Sequence, residues 1–219
     1  MHQFSIYPSL ISSDLLSLGK TIELLDPHVQ GYHIDIMDGH FVPNLTWGPQ
    51  FVAAFQRTTS LPLHIHCMVS NPEKVLESLT VRPIDTVIIH VEATEDLHGM
   101  IEKIRDTDAQ VGIALNPETS VKKYEKILSL VDHLLIMSVH PGFSGQTFLQ
   151  ETFKKYNEAK NLIDSNGYRC ELGADGGVAT HNVSSILSHG VKHVAAAKSI
   201  FSAVDPILGV QSLVQAVTK

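Results

Sequence analysis

Tyr32-His33-Ile34-Asp35-Ile36-Met37 and Leu63-His64-Ile65-His66-Cys67-Met68 are two runs built on the same alternation. Successive side chains of a β-strand point to opposite faces. His33, Asp35 and Met37 therefore share one face, and Ile34 and Ile36 take the other. In the second run His64, His66 and Met68 lie opposite Ile65, Cys67 and Val69. The apolar faces suit contact with helices, which turns the polar faces toward the inside of a closed sheet.

Similar runs recur along the chain. β-rich stretches are read at Phe4–Leu10, Tyr32–Met37, Leu63–Val69, Thr86–Glu92, Val111–Asn116, His133–Val139, Arg169–Asp175 and His193–Ala197. Helical patterns follow them at Asp14–Leu25, Pro49–Gln56, Pro72–Leu79, Asp96–Arg105, Val121–Leu130, Thr147–Ile163, Asn182–Ser188 and Pro206–Val217. Asn71-Pro72-Glu73 joins a cap, a proline at the first helical position and an early carboxylate. Strands alternating with helices imply parallel pairing, because parallel neighbours need a crossover. Eight such units predict a single-domain (β/α)8 TIM barrel over residues 1–219. An open doubly wound sheet is the alternative, but no Gly-x-Gly-x-x-Gly follows the first strand.

The net charge of −7 disfavours a wide nucleic-acid-binding surface. Charged residues are only 18% of the chain, which suits a large interior and leaves room for a homo-oligomer interface. Two cysteines, Cys67 and Cys170, are no disulfide framework. Apolar runs are too short to span a bilayer, and Met1–Leu10 does not read as a signal peptide. A cytoplasmic protein without membrane or nucleic-acid partners is expected.

In a TIM barrel, function sits at the C-terminal ends of the strands. There the sequence places Ser9, Asp35 with Met37, His66 with Met68, His90 with Glu92, Asn116, Met137 with His140, and Asp175. Imidazoles and carboxylates pointing into one barrel mouth suit a divalent transition metal. His64 lies one pleat deeper and reads as a core or supporting histidine.

The segment His33-Ile34-Asp35-Ile36-Met37-Asp38-Gly39-His40-Phe41-Val42-Pro43-Asn44 resembles the signature of the ribulose-phosphate 3-epimerase family. So do Pro8-Ser9-Leu10, His66-Cys67-Met68-Val69, His90-Val91-Glu92-Ala93-Thr94, Pro141-Gly142-Phe143-Ser144-Gly145-Gln146 and Asp175-Gly176-Gly177-Val178, in the same order. The resemblance implies a TIM barrel with one catalytic divalent metal ion (Zn, Fe(II), Mn or Co) held by His33, Asp35, His66 and Asp175. It also implies that Asp35 and Asp175 are the acid–base pair. Epimerisation at C3 of a ketose phosphate removes a proton beside the C2 carbonyl and returns one to the opposite face, which two carboxylates accomplish. Met37, Met68 and Met137 would form a weakly polar wall over the substrate. Ser9, His66 and His90 would contact it, and the stretch Gly39–Asn44 would form part of a lid. The resemblance also leads us to expect a dimer or a hexamer.

Gly142-Phe143-Ser144-Gly145 and Gly176-Gly177 suit phosphate binding by backbone amides. The eighth strand departs from the family. Where a Gly-Ser pair is usual, this chain has Ala197-Lys198, and Lys198 would supply a point charge beside the phosphate. Gly173-Ala174 also replaces bulkier residues before Asp175. The expected substrate pair is D-ribulose 5-phosphate and D-xylulose 5-phosphate. The alternatives are D-allulose 6-phosphate, whose enzymes share a block like Asn116-Pro117-Glu118-Thr119, and a non-catalytic sugar-phosphate-binding relative. A decarboxylase on a similar barrel is disfavoured, since the third strand has no Asp-x-Lys-x-x-Asp.

Overall fold

The structure is a computed structural model that describes residues 4–218. Eight parallel strands follow one another around the sheet: β1 Ser5–Pro8, β2 Tyr32–Met37, β3 Leu63–Met68, β4 Thr86–His90, β5 Gln110–Leu115, β6 His133–Met137, β7 Glu171–Asp175 and β8 His193–Ala196. β1 pairs with β8, and a bridge between Ser9 and His33 brings the two ends of the sheet together. The expected TIM barrel is thus formed. Several strands end earlier than the apolar runs suggest. After His90, for example, Val91–Ala93 turns into a 3-10 helix, so Glu92 sits beyond β4.

The helices are α1 Leu18–Leu25, α2 Pro49–Phe55, α3 Pro72–Leu76, α4 Leu97–Arg105, α5 Thr152–Asn166, α6 Val183–Ser188, α7 Lys198–Phe201 and α8 Pro206–Thr218. Asn71 caps α3 by accepting from the Lys74 amide, and Asp96 caps α4 through the Gly99 amide. Val121–Leu130 is a 3-10 helix rather than an α-helix. Its apolar residues Val121, Tyr124, Ile127 and Leu130 recur every third position, and all four pack against the barrel core. Leu128, fully buried beside Ile127, joins them, so the spacing of three is broken once. α5 begins at Thr152, five residues after the expected start. The preceding backbone is already committed, because the Leu149 amide donates to Ser138 O at 2.9 Å. α7, which opens with Lys198, has no counterpart among the expected helices. Among the described residues no helix is long and apolar enough to cross a membrane.

The strand alternation separates two interiors. Outward residues such as Ile34, Ile65, Val87, Ile113 and Ile136 join the large core beneath the helices. Inward residues Ile88, Ala114, Leu135 and Met137 form a smaller apolar plug within the barrel. Below that plug, near the N-terminal ends of the strands, lies a floor of rings. Tyr7 stacks on His64 at 3.7 Å between centroids, and His133 and His193 approach at 4.9 Å. His133 Nε2 donates to Gln110 Oε1 at 2.8 Å.

Burial, with His193 nearby, pushes the His133 pKa down to about 4, against the opposing charges of Glu171 and Asp132. Burial also holds His64 well below the usual imidazole value, assisted by His133 and His193. The unfolded chain, with histidines titrating near 6.5, therefore takes up acid first. The stabilisation is present above about pH 6.5 and is lost as the pH falls toward 4. For His133 the full effect is on the order of 3 kcal/mol. His133→Gln, which can still donate to Gln110, should flatten the loss of stability measured by urea unfolding between pH 7 and pH 4.5. Identical pH slopes for the two proteins would contradict the assignment.

Candidate active site

β2, β3 and β7 each deliver inward side chains to the C-terminal end of the barrel. His33 Nε2 lies 3.2 Å from Asp35 Oδ1 and 3.6 Å from Asp175 Oδ2. His66 Nδ1 lies 3.4 Å from each of the same two oxygens. The two imidazole nitrogens are 3.2 Å apart. His33 and His66 are fully buried, and Asp35 nearly so. Burial favours the neutral carboxyl of Asp35, but His33 and His66 outweigh it and hold Asp35 well below the usual carboxylate range. Burial likewise opposes charge on His66, yet Asp175 and Asp35 raise its pKa to about 9.

This donor set fits a metal ion. A tetrahedral centre with bonds of about 2.0–2.2 Å has ligand atoms about 3.3–3.6 Å apart, and the contacts just given span 3.2–3.6 Å. Two nitrogens and two carboxylate oxygens suit a borderline divalent cation. Ser9 Oγ donates to the second carboxylate oxygen of Asp35, Oδ2, at 2.6 Å and so fixes how that carboxylate turns.

Above these residues opens a cavity of about 370 Å³. Ser9, Asp35 and Asp175 border it, with Met37, Met68 and Met137 on its wall. The Gly142–Gly145 loop, including Phe143 and Ser144, borders it too, as do Gly176, Gly177, Ala197 and Lys198. Lys198 is exposed, and its aliphatic stem lies close over Gly145, where a Cβ would meet Lys198 Cδ at 3.0 Å. Gly176 has φ +106, and a Cβ on it would meet the Val139 side chain at 2.4 Å, so only glycine fits. The Gly39–Asn44 stretch folds down here. Val42 packs on Met37 and Met68, and Asn44 Nδ2 donates to Gly142 O at 2.7 Å.

The family model for the ribulose-phosphate 3-epimerase family matches residues 5–201. The chain belongs to that family. It is 37% identical over 199 residues to a ribulose-phosphate 3-epimerase from Chlamydia pneumoniae, covering 90% of this chain and 87% of that one. It is 34% identical over 202 residues to one from Bacillus subtilis, covering 91% and 93%. Among solved structures it resembles a tryptophan synthase α-subunit from Pyrococcus furiosus, with TM-score 0.69 and 15% identity over 96% of this chain and 98% of that one. It also resembles KGPDC from Streptococcus mutans, with TM-score 0.72 and 14% identity over 99% and 98%. At such identities these two structures speak for the fold alone. The chain is an epimerase, of the isomerase class.

In this epimerase two of the expected substrate contacts, His90 and His66, are not among the residues that border the cavity. His90 is fully buried and does not border the cavity. Its Nε2 instead lies 2.8 Å from His66 Nε2, and Phe41 covers the ring at 4.8 Å. His66 also turns its ring to the carboxylates rather than to the cavity. His64 belongs to the floor described above. Sequence reasoning passes over two polar residues that hold this site, Thr46 and Ser138, and a third that borders the cavity, Ser199. Thr46 Oγ1 donates to Asp35 O and accepts from the Met37 amide at 2.9 Å. Ser138 Oγ donates to Asp175 O at 2.9 Å and Gly176 O at 2.6 Å, securing the end of β7. Ser199 borders the cavity, and its Oγ is buried with no hydrogen-bond partner among the described residues. Only Ser138 has a local sequence signal, its place between Met137 and the Gly142–Gly145 block.

Proposed function

We propose that this epimerase interconverts D-ribulose 5-phosphate and D-xylulose 5-phosphate, with Asp35 and Asp175 as paired acid and base and His33, Asp35, His66 and Asp175 as ligands of one divalent metal ion. The observation that carries the reading is that two carboxylates from different strands border the cavity while both face the same two imidazoles. The names of the relatives support the choice of sugar phosphate.

Asp35 Oδ2, steadied by Ser9, and Asp175 Oδ1 are the atoms assigned to proton transfer. One takes the C3 proton beside the C2 carbonyl, giving an enediolate, and the other returns a proton to the opposite face. The roles exchange with reaction direction. When bound, the divalent metal supplies Lewis-acid stabilisation for negative charge on the sugar oxygens. Met37, Met68 and Met137 present a surface that offers water few partners, which keeps the carbanion-like carbon from side reactions. Lys198 and the glycine loops hold the phosphate at the far side of the cavity.

Chelation should abolish turnover, and Zn, Mn, Co or Fe(II) should restore it, whereas full activity of metal-free protein would contradict the reading. Turnover of D-allulose 6-phosphate in preference to the pentulose would contradict the substrate assignment. Asp35→Asn and Asp175→Asn should each lower kcat at least ~100-fold, and in the native enzyme solvent deuterium should enter C3. Activity near the wild-type level in either variant would remove that aspartate from the mechanism. Lys198→Ala should raise KM and affect kcat less, because phosphate is held alike in ground and transition states. A charge-assisted hydrogen bond of about 1.5–3 kcal/mol corresponds to a rise of roughly 10- to 150-fold. An unchanged KM would return phosphate binding to the glycine loops.

A further inference from the structure

We infer that Glu92 is a positioning residue that, through His90, decides which nitrogen of His66 is free to bind a metal. The inference rests on the metal site proposed above. Glu92 does not border the cavity and has no part in the proton transfers.

Three side chains stand in line behind the metal ligands. Glu92 Oε2 lies 3.1 Å from His90 Nδ1. His90 Nε2 lies 2.8 Å from His66 Nε2. His66 Nδ1 then faces Asp35 and Asp175, at 3.4 Å each. The direction of the hydrogen bonds follows from the first member. A carboxylate only accepts, and Glu92 Oε1 already accepts from the Asn116 amide at 2.9 Å and from Thr119 Oγ1. His90 Nδ1 therefore carries its proton toward Glu92. In neutral His90 the other nitrogen, Nε2, offers a lone pair, which His66 Nε2–H fills. In neutral His66, the form that ligates a metal, the remaining nitrogen, Nδ1, is then left with a lone pair aimed at the metal position.

Reversing the line would put the mobile proton on His66 Nδ1, where it blocks ligation. Metal-binding histidines commonly give their second N–H to a carboxylate or carbonyl. Here an extra imidazole stands between the ligand and the carboxylate. The carboxylate is in turn anchored from outside the barrel. Lys155 Nζ donates to Asn116 O at 2.5 Å and so holds the loop whose amide binds Glu92.

Glu92→Gln tests the direction with little change of shape. If its oxygen stays on His90, its NH2 meets the Asn116 N–H, donor against donor. If its oxygen stays on Asn116, its NH2 meets His90 Nδ1 and the line reverses. Competition with a chelator should show Zn(II) affinity falling ~10- to 100-fold. The effect should vanish in a His90→Phe background, because Glu92 acts only through His90. Nitrogen-15 histidine spectra of the Zn-loaded wild type should show His66 metal-bound at Nδ1 and protonated at Nε2. Wild-type affinity in Glu92→Gln, or Nε2 as the metal-bound nitrogen, would overturn this inference while leaving the metal site standing. The wild-type spectrum decides it even if a variant fails to fold. Absence of Zn(II) binding by the wild type would overturn the metal site, and this inference with it.

Discussion

Two carboxylates at the centre of a closed sheet must be neutralised, and the upper half of this barrel is organised around that requirement. Asp35 and Asp175 converge from strands that are far apart in sequence. Unpaired, two such buried charges would be strongly unfavourable. His33 and His66 stand between them, which demands that β2 and β3 pair with Asp35 beside His66 and His33 beside His64. A one-residue slip of β2 would turn His33 and Asp35 outward into the apolar core, and one of β3 would do the same to His66. The same requirement explains the surrounding hydrogen bonds: Ser9 on Asp35, Thr46 on the backbone of β2, and Ser138 on the end of β7.

The barrel thus holds histidines at both ends for different reasons. At the mouth, His33 and His66 face carboxylates, and His66 is held in a range where it readily gains positive charge. At the floor, His64 and His133 face other rings and burial dominates, so both are held neutral. The apolar plug of Ile88, Ala114, Leu135 and Met137 stands between them within the barrel. One residue type serves two purposes because its ionisation follows its neighbours.

Strand alternation makes the fold legible in the sequence and turns His33, Asp35 and His66 inward along β2 and β3, whereas the full ligand set with Asp175 comes from the family resemblance. Parity does not give depth or lateral reach. His90 has the parity of a mouth residue, yet it lies behind His66 rather than beside the cavity. The role of Glu92 is not legible at all, because its partners Asn116 and Thr119 lie on the next strand's loop, 24 and 27 residues away. The 3-10 character of Val121–Leu130 is not legible, because Val121, Tyr124 and Leu128 also fit the i, i+3, i+7 spacing of an ordinary amphipathic helix. The Ala197-Lys198 departure is visible as sequence, while its consequence, a lysine stem against Gly145, needs the fold.

The central claim is that the four converging side chains form one metal centre. Anomalous diffraction from crystals of the cobalt-loaded protein, recorded on either side of the metal absorption edge, tests it most directly. The account predicts a single strong anomalous peak bonded to His33 Nε2, Asp35 Oδ1, His66 Nδ1 and Asp175 Oδ2. A peak elsewhere with these four atoms bonded only to one another or to water would contradict it.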